Sequence, residues 1–242
     1  MSVILPRTTL VSFILCILSV LPSLASGAVE RRKFSASGAY LIVEVLRDDL
    51  LHFELSAVGS GPPLNQALYT SPMVHKTNYT GPSTFVDSGN QLETANLRLI
   101  VNTSDLCVEI QDKKQGNAQL TKLCPNLAQP FKGLDIESGA VTQVYGLGQQ
   151  FKTVGSADGD WLQHGVREGH EGLGNGFQVF QDASVGNVQI PVYYALGYDG
   201  LNYALFMDNV YHQRWDFETS PWRARMFGGQ LRWYIHKRCG FS

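Results

Sequence analysis

The chain has 242 residues, and its 19 Lys and Arg against 21 Asp and Glu give a formal net charge of −2. This length allows one or two domains, but it excludes a large accessory domain together with a complete TIM barrel of about 250 residues. The near-neutral charge gives no electrostatic basis for binding nucleic acid. A hydrophobic content of 44% excludes a disordered tail protein, and four Cys are too few for a small disulfide-stabilised scaffold.

The first 28 residues have the pattern of a secretory signal peptide. Arg7 is the only charge before Glu30, and a mostly apolar run extends from residue 10 to residue 24. Small residues precede possible cleavage positions after Ala25 and after Ala28. An uncleaved anchor is the alternative, but the run is short for a spanning helix, which needs about 20 residues. We expect a signal peptide at 1–28, no membrane association after cleavage, and a secreted or periplasmic protein.

Export would leave Cys107, Cys124 and Cys239 in the mature chain. An oxidising compartment permits a Cys107–Cys124 disulfide with Cys239 free. Three unpaired thiols are an equal alternative, because the sequence does not set the Cα separation that a disulfide needs. Asn78-Tyr79-Thr80 and Asn102-Thr103-Ser104 match the acceptor pattern for N-glycosylation, which has meaning only in a eukaryotic secretory pathway.

From Phe34 onward, apolar residues recur mostly at a period of two, which is typical of half-buried strands. Pro191 cannot donate to a strand ladder, so its strand is expected at a sheet edge or to begin at the proline. Many short strands with Gly-rich and Asp-rich turns predict an all-β fold, either an antiparallel sandwich or a barrel. The predicted strands cover residues 40–45, 51–55, 97–101, 106–110, 188–196, 202–207 and 230–235.

The densest group of titratable side chains lies in a Gly-rich segment and comprises His164, Glu168, His170 and Glu171. Zinc-binding His residues converge when they share one face of a helix, but the glycines here prevent a helix. We expect a polar surface loop there, and no metal or other cofactor. Glycoside hydrolysis needs two carboxyl groups about 5–10 Å apart in one cleft. The loose candidates, none with a flanking signature, are Asp182, Asp208, Asp216 and Glu218.

Aromatic and Arg residues are concentrated between residues 211 and 234. An aromatic ring can stack against the C–H face of a sugar ring while planar neighbours form hydrogen bonds to its hydroxyls. The same residue types are also enriched at interfaces. A core or interface role is the favoured interpretation and sugar contact is the alternative, with Trp215, Trp222 and Arg223 as the candidate contacts.

Five short motifs follow one another along the chain: Glu93-Thr94, Tyr145-Gly146-Leu147-Gly148-Gln149, Ile190-Pro191-Val192-Tyr193-Tyr194, Tyr203-Ala204-Leu205-Phe206-Met207-Asp208-Asn209 and Gly228-Gly229-Gln230-Leu231-Arg232-Trp233-Tyr234-Ile235. Their order and spacing over residues 35–235 resemble the N-terminal region of glycoside hydrolase family 31, the α-glucosidase and α-xylosidase group. Gln149 departs from the family pattern, which has Glu there. The tail after Ile235 is unlike the family's Gly-Pro turn.

This resemblance implies an antiparallel β-sandwich with a galactose-mutarotase-like fold at residues 29–242. In the family, the sandwich packs on a catalytic barrel, and an acidic residue on one of its loops lies near the substrate. Asp182, nine residues before Pro191, occupies the matching place. The two barrel Asp residues that serve as nucleophile and acid/base have no counterpart in this sequence. We therefore assign no catalytic residue and expect a chain truncated before the barrel.

The leading hypothesis is a non-catalytic N-terminal domain of an exported α-glycosidase-like protein, with an α-glycoside and a catalytic barrel as its partners. With a barrel, the reaction would be hydrolysis of O-glycosyl bonds with retention. One alternative is a stand-alone carbohydrate-binding module that uses the aromatic residues of 211–234. The other is an aldose-epimerase-like enzyme, which needs a His and a carboxylate facing across a cleft, with His164 or His170 as the base.

Overall fold

The structure is a computed structural model that describes residues 27–36, 38–57, 71, 73–76, 78–126, 132–147, 190–209, 213–217, 219–226 and 231–238. Within these residues the chain forms fifteen strands: β1 (Glu30–Ala36), β2 (Ala39–Arg47), β3 (Leu50–Ala57), β4 (Val86–Asp87), β5 (Gln91–Glu93), β6 (Leu97–Val101), β7 (Val108–Asp112), β8 (Ala118–Asn126), β9 (Lys132–Glu137), β10 (Val141–Gly146), β11 (Val192–Gly197), β12 (Asn202–Met207), β13 (Gln213–Asp216), β14 (Trp222–Met226) and β15 (Leu231–Arg238). Short 3-10 turns occupy Lys113–Gln115 and Tyr198–Gly200.

The strands form two antiparallel sheets, which confirms the prediction of an all-β sandwich. Sheet A has seven strands in the order β1-β2-β3-β15-β12-β11-β10, and sheet B has eight in the order β13-β14-β9-β8-β7-β6-β5-β4. β11 begins at Val192, immediately after Pro191, and lies between β10 and β12. The sequence predicted that this strand either lies at a sheet edge or begins at the proline. In the structure the strand begins directly after Pro191 and lies inside the sheet.

The hydrophobic core lies between the two sheets, because alternate residues of each strand point inward. On β3 and β15, Phe53 and Trp233 are paired across the ladder, and their rings stack with centroids 5.2 Å apart. Sheet B contributes fully buried side chains such as Leu99 and Ile110. Each fully buried large apolar side chain contributes about 1.5–3 kcal/mol, so the inward-facing rows supply most of the driving force for folding.

One glycine in sheet B marks a close approach between strands. A Cβ atom at Gly133 on β9 would lie 1.8 Å from the backbone oxygen of Ala224 on β14. No real Cβ is found so close to a backbone atom, so any side chain here would push β14 away. Gly133 is therefore required for β14 to join the sheet, and β14 in turn carries Trp222 and Arg223.

A disulfide joins Cys107, immediately before β7, to Cys124 on β8, with a Cα–Cα distance of 4.1 Å. The bond closes a short loop, since the two residues are 17 positions apart. Of the two states that the sequence left open for this pair, the structure has the bonded one. Cys239 lies outside the described residues.

Replacing both Cys107 and Cys124 by Ala should lower the free energy of unfolding by about 2–4 kcal/mol, because the open chain gains conformational entropy when the loop is no longer closed. Urea denaturation of the double variant and of the oxidised parent measures the difference. Adding a reductant should destabilise the parent by a similar amount and leave the variant unchanged. An equal response of both proteins to the reductant would show that no disulfide is present.

Candidate functional site

Charged and aromatic side chains cross the outer face of sheet A, which is the face opposite the core. The ladder places Arg31, Glu44, His52, Tyr234 and Phe206 directly opposite one another on five neighbouring strands. The next row of the same face contains Glu54, Arg232 and Asp208. We call the residues Arg31, Glu44, His52, Glu54, Asp208, Arg232 and Tyr234 the outer-face cluster.

Glu44 holds one end of the outer-face cluster together. Its carboxylate accepts a hydrogen bond from Arg31 Nε at 2.6 Å and lies 2.6 Å from His52 Nδ1 through its other oxygen. Burial acts to raise the pKa of Glu44, but hydrogen bonding and charge from His52 and Arg31 outweigh it and hold the pKa below its usual value. The His52 ring stacks on Tyr234 with centroids 4.3 Å apart.

Glu54 has the most unusual environment in the outer-face cluster. Its side chain is only 1% exposed, and neither carboxyl oxygen has a hydrogen-bond partner among the described residues. Burial raises the pKa of Glu54 to about 8, since the positive charge of Arg232 offsets only part of the desolvation and Glu44 and Asp208 add repulsion. A carboxyl group with this pKa is mostly protonated at neutral pH.

The far end of the outer-face cluster contacts the irregular connection that follows β3. Ser71 Oγ donates to Asp208 Oδ1 at 2.6 Å, and Arg232 Nη2 lies 3.5 Å from Asp208 Oδ2. Asp208 is almost fully buried. Ser71, from the segment between β3 and β4, therefore lies against this end of the outer-face cluster.

The chemistry available to the cluster is limited by its burial. An imidazole bound to a carboxylate, close to a protonated carboxyl group, is suited to general acid–base catalysis. However, His52 is 6% exposed and Glu54 is 1% exposed, so no sugar ring can reach them in this arrangement. The shifted pKa values of Glu44 and Glu54 link this cluster to the dependence of stability on pH. Among the described residues, no group of His, Cys, Asp and Glu could hold a metal ion.

An open polar cleft of about 400 Å³ lies at one end of the sandwich, where the turn between β2 and β3 meets residues 80–83 and Asn96. Arg47 Nε lies 3.1 Å from Asp49 Oδ1, and His236 Nε2 lies 3.4 Å from Asp49 Oδ2. The hydrogen bond from His236, helped by the charge of Arg47, holds the pKa of Asp49 below its usual value against burial. This cleft is concave and open to solvent, and charged side chains form part of its walls.

The structure does not bring the three candidate contacts of segment 211–234 together. Trp215 is 1% exposed, and its ring packs against Tyr193 and Phe217 in the core. Trp222 is half-buried and packs on the same core, whereas Arg223, the next residue of β14, is exposed on the opposite face of sheet B. Trp215 therefore has no free ring face for a sugar, and Trp222 and Arg223 cannot contact one sugar together.

Several other predicted residues lie outside the described residues. They are Asp182, the loose carboxylate candidate Glu218, and the titratable group His164, Glu168, His170 and Glu171. Residues 1–26 of the predicted signal peptide also lie outside. Of the remaining carboxylate candidates, Asp208 is buried in the outer-face cluster and Asp216 lies opposite Arg223 at the edge of sheet B.

The outer-face cluster was missed at the level of sequence. Leu51-His52-Phe53-Glu54-Leu55 was predicted as a strand, and β3 confirms it. Alternation of this kind places His52 and Glu54 on the face away from the core, which is normally solvated. In the structure both side chains are buried, and no local pattern in the sequence signals this burial.

Comparison with known proteins relates this fold to carbohydrate-active enzymes. No protein-family model and no curated protein matches the sequence. Solved structures do match: a GH31 dextranase from Flavobacterium johnsoniae complexed with isomaltotriose (TM-score 0.57, 14% identity, 88% of this chain and 26% of the dextranase) and a GH31 α-xylosidase from a soil metagenome complexed with xylose (0.53, 12%, 87% and 32%). A xylosidase from Aspergillus niger matches with a TM-score of 0.51 and 11% identity over 89% and 31% of the two chains.

The likeness is one of fold. This chain spans less than a third of the length of each of these three enzymes. Its sandwich is thus similar to one part of larger glycosidases, in agreement with the resemblance seen in the motifs. Two of those motifs are placed on the observed strands, since Tyr145-Gly146 ends β10 and Asn202–Met207 forms β12. Among the described residues, no helix is long and apolar enough to cross a membrane.

Proposed function

We propose that this chain is the β-sandwich domain of an exported carbohydrate-active protein, and that it supports a substrate pocket on a neighbouring catalytic barrel. The observation that carries the proposal is the fold match with GH31 enzymes, which covers nearly all of this chain and under a third of theirs. With its barrel, the protein would hydrolyse α-glycosides with retention. The domain needs no cofactor for this role.

The carboxyl groups of the described residues support a non-catalytic role for the sandwich itself. Retaining hydrolysis needs two accessible carboxyl groups about 5–5.5 Å apart. Glu54 and Asp208 share a face of sheet A but are buried, and Glu44 is held by Arg31 and His52. In our proposal the sugar contact comes from Asp182, in the part of the chain before β11, and its effect is on substrate positioning rather than on bond cleavage.

The proposed extracytoplasmic location has two supports. The N-terminal segment has the charge and apolar pattern of a signal peptide. The Cys107–Cys124 disulfide is of a kind that persists mainly in oxidising compartments. Both supports are independent of the fold match. Evidence against export would therefore leave the assignment of the sandwich fold unchanged.

The purified chain should release no 4-nitrophenol from 4-nitrophenyl α-glucoside or α-xyloside above the uncatalysed rate, because in our proposal the catalytic carboxylates belong to the barrel and Glu54 and Asp208 of the sandwich are buried. Absorbance of 4-nitrophenolate measures the release, with a known α-glucosidase as the positive control. Release that persists on repurification and disappears in Asp208→Asn would contradict the non-catalytic proposal, since a contaminating enzyme would not respond to that substitution.

The open polar cleft keeps a stand-alone carbohydrate-binding module as a second candidate. Its charged walls, Arg47 and Asp49, and the neighbouring Asn96 provide the hydrogen-bonding groups that a sugar needs. Titration with maltose, isomaltose and xylose, followed by tryptophan fluorescence or calorimetry, separates the two functions. Saturable binding that is lost in Arg47→Ala would support the binding module. No response would support an accessory domain that depends on a barrel.

A further inference from the structure

The two N-glycosylation motifs lie on the surface of the sandwich, in positions that the proposed function does not use. Asn102, Thr103 and Ser104 are all exposed, and so are Asn78 and Thr80. The acceptor pattern is Asn-x-Ser/Thr with x other than Pro, and both motifs meet it. A buried or strand-paired motif would be inaccessible to the enzyme that transfers the glycan. Exposure at the surface is therefore the first requirement for modification.

The first motif forms the tip of the hairpin between β6 and β7. Asn102 follows the last residue of β6, and its backbone N–H donates to Cys107 O at 2.8 Å, which closes the turn. Ser104 Oγ donates to Asn102 Oδ1 at 2.8 Å, so the hydroxyl and the carboxamide of the motif already lie together. Residues 102–105 are exposed, whereas Leu106 packs into the core at the far end of the turn, so a bulky glycan at Asn102 extends into solvent and displaces no packed group.

The second motif lies in the irregular segment before β4. Asn78 and Thr80 are exposed, whereas Tyr79 between them is half-buried. Thr80 also lines the polar cleft. The half-buried tyrosine lies beside an asparagine side chain that is exposed to solvent, which is the arrangement needed at an acceptor site.

The disulfide gives an independent reason to place this chain in a secretory pathway. Cys107 closes the same turn that carries Asn102 and is bonded to Cys124. Disulfides form in oxidising compartments, which include the extracellular space, the bacterial periplasm and the endoplasmic reticulum, and N-glycans are added in the endoplasmic reticulum of eukaryotes. We propose that Asn102 and Asn78 are N-glycan acceptors. This proposal is separate from the proposed function, because it needs export but no catalytic domain.

The modification is a glycosyl transfer whose co-reactant is a lipid-linked oligosaccharide diphosphate. The Asn carboxamide nitrogen forms a bond to the anomeric carbon of the first sugar, and the bond from that carbon to the diphosphate oxygen breaks. The carboxamide loses one proton, and the lipid diphosphate leaves with the bonding electrons. No oxidant or reductant is required.

Expression of the full chain in a eukaryotic secretory host tests the proposal. The secreted protein should lose apparent mass in two steps on partial treatment with peptide-N-glycosidase, which converts a glycosylated Asn to Asp. Peptide mass mapping should place these conversions at residues 78 and 102. Asn102→Gln, Ser104→Ala and Thr80→Ala should each remove one step, and Thr103→Ser, which keeps the motif, should remove none.

A parallel expression behind the host's own leader separates the acceptor proposal from the export prediction. Glycans in both expressions would support both. Glycans only with the host leader would support the acceptor sites and contradict the predicted signal peptide. A secreted, disulfide-bonded protein in which Asn78 and Asn102 are unmodified would overturn the proposal, and so would modification that persists in the Ser104→Ala, Thr80→Ala double variant.

Discussion

Lys237→Met should lower the free energy of unfolding by about 3–5 kcal/mol, because removing one partner of a buried ion pair leaves the other charge uncompensated. Lys237 Nζ lies 2.5 Å from Asp112 Oδ1, and the two side chains are only 3% and 2% exposed. Lys237 stands on the core-facing side of β15 in sheet A, and Asp112 ends β7 in sheet B. The pair thus joins the two sheets across the core. Urea denaturation at neutral pH measures the loss.

A surface ion pair provides the matched control. Lys122 Nζ lies 2.8 Å from Glu137 Oε1 on neighbouring strands of sheet B, with both side chains largely in solvent. Exposed pairs of this kind contribute about 0–1 kcal/mol, so Lys122→Met should change stability little. The double variant Lys237→Met, Asp112→Asn should recover part of the loss, since it removes both charges and keeps a side-chain acceptor for Lys114 N–H. Equal losses from Lys237→Met and Lys122→Met would contradict the buried bridge.

Glu54→Gln should remove a large dependence of stability on pH. The pKa of Glu54 is about 8 in the folded protein, against 4.5 as its ordinary value. Between these values the unfolded chain releases the proton while the folded protein keeps it, so stability falls as pH rises. At 1.36 kcal/mol per pKa unit, the upper limit of this loss is about 5 kcal/mol. Glutamine has nearly the same shape and stays neutral, so the variant should lack this loss.

The measurement is the free energy of unfolding of parent and Glu54→Gln between pH 4.5 and pH 8. The two curves should lie close together at the acidic end and separate as pH rises, with the variant more stable. Glu93→Gln is the control of opposite sign, because the hydrogen bond from Lys113 holds the pKa of Glu93 below its usual value. Its stabilising contribution is present above the ordinary pKa of 4.5 and is lost only as pH falls below that value, so the curves of the parent and Glu93→Gln should stay parallel between pH 4.5 and pH 8 and converge only in more acidic buffer. Parallel curves for parent and Glu54→Gln would show that burial does not raise the pKa of Glu54 in the folded protein.

Local alternation predicted the long strands of the sandwich well. The predicted segments 97–101 and 202–207 agree with β6 and β12, because each has apolar residues at every second position. By contrast, β9 has the sequence KGLDIE, in which only Leu134 and Ile136 alternate with polar residues, and this run is too short to predict a strand by itself. It forms because β8 and β14 offer ladders on both sides, and that contact between distant segments is not encoded within β9 itself.

The candidate sites were harder to predict than the strands. For Trp215 and Trp222 the sequence favoured a core or interface role and left sugar contact as the alternative, and the packing of Trp215 against Tyr193 places Trp215 in the core. His52 and Glu54 looked like solvent-facing residues of an ordinary strand. In the structure both are buried, which the alternation within their strand could not reveal. Tertiary packing was therefore the missing information in both cases.

The central claim is that this sandwich belongs to an α-glycosidase-like protein that also contains a catalytic barrel. Sequencing full-length transcripts through and beyond codon 242 tests this most directly. The account predicts a reading frame that continues into a barrel-encoding region with the two catalytic Asp residues. A stop codon directly after codon 242 in every full-length transcript would contradict it and would favour a stand-alone domain.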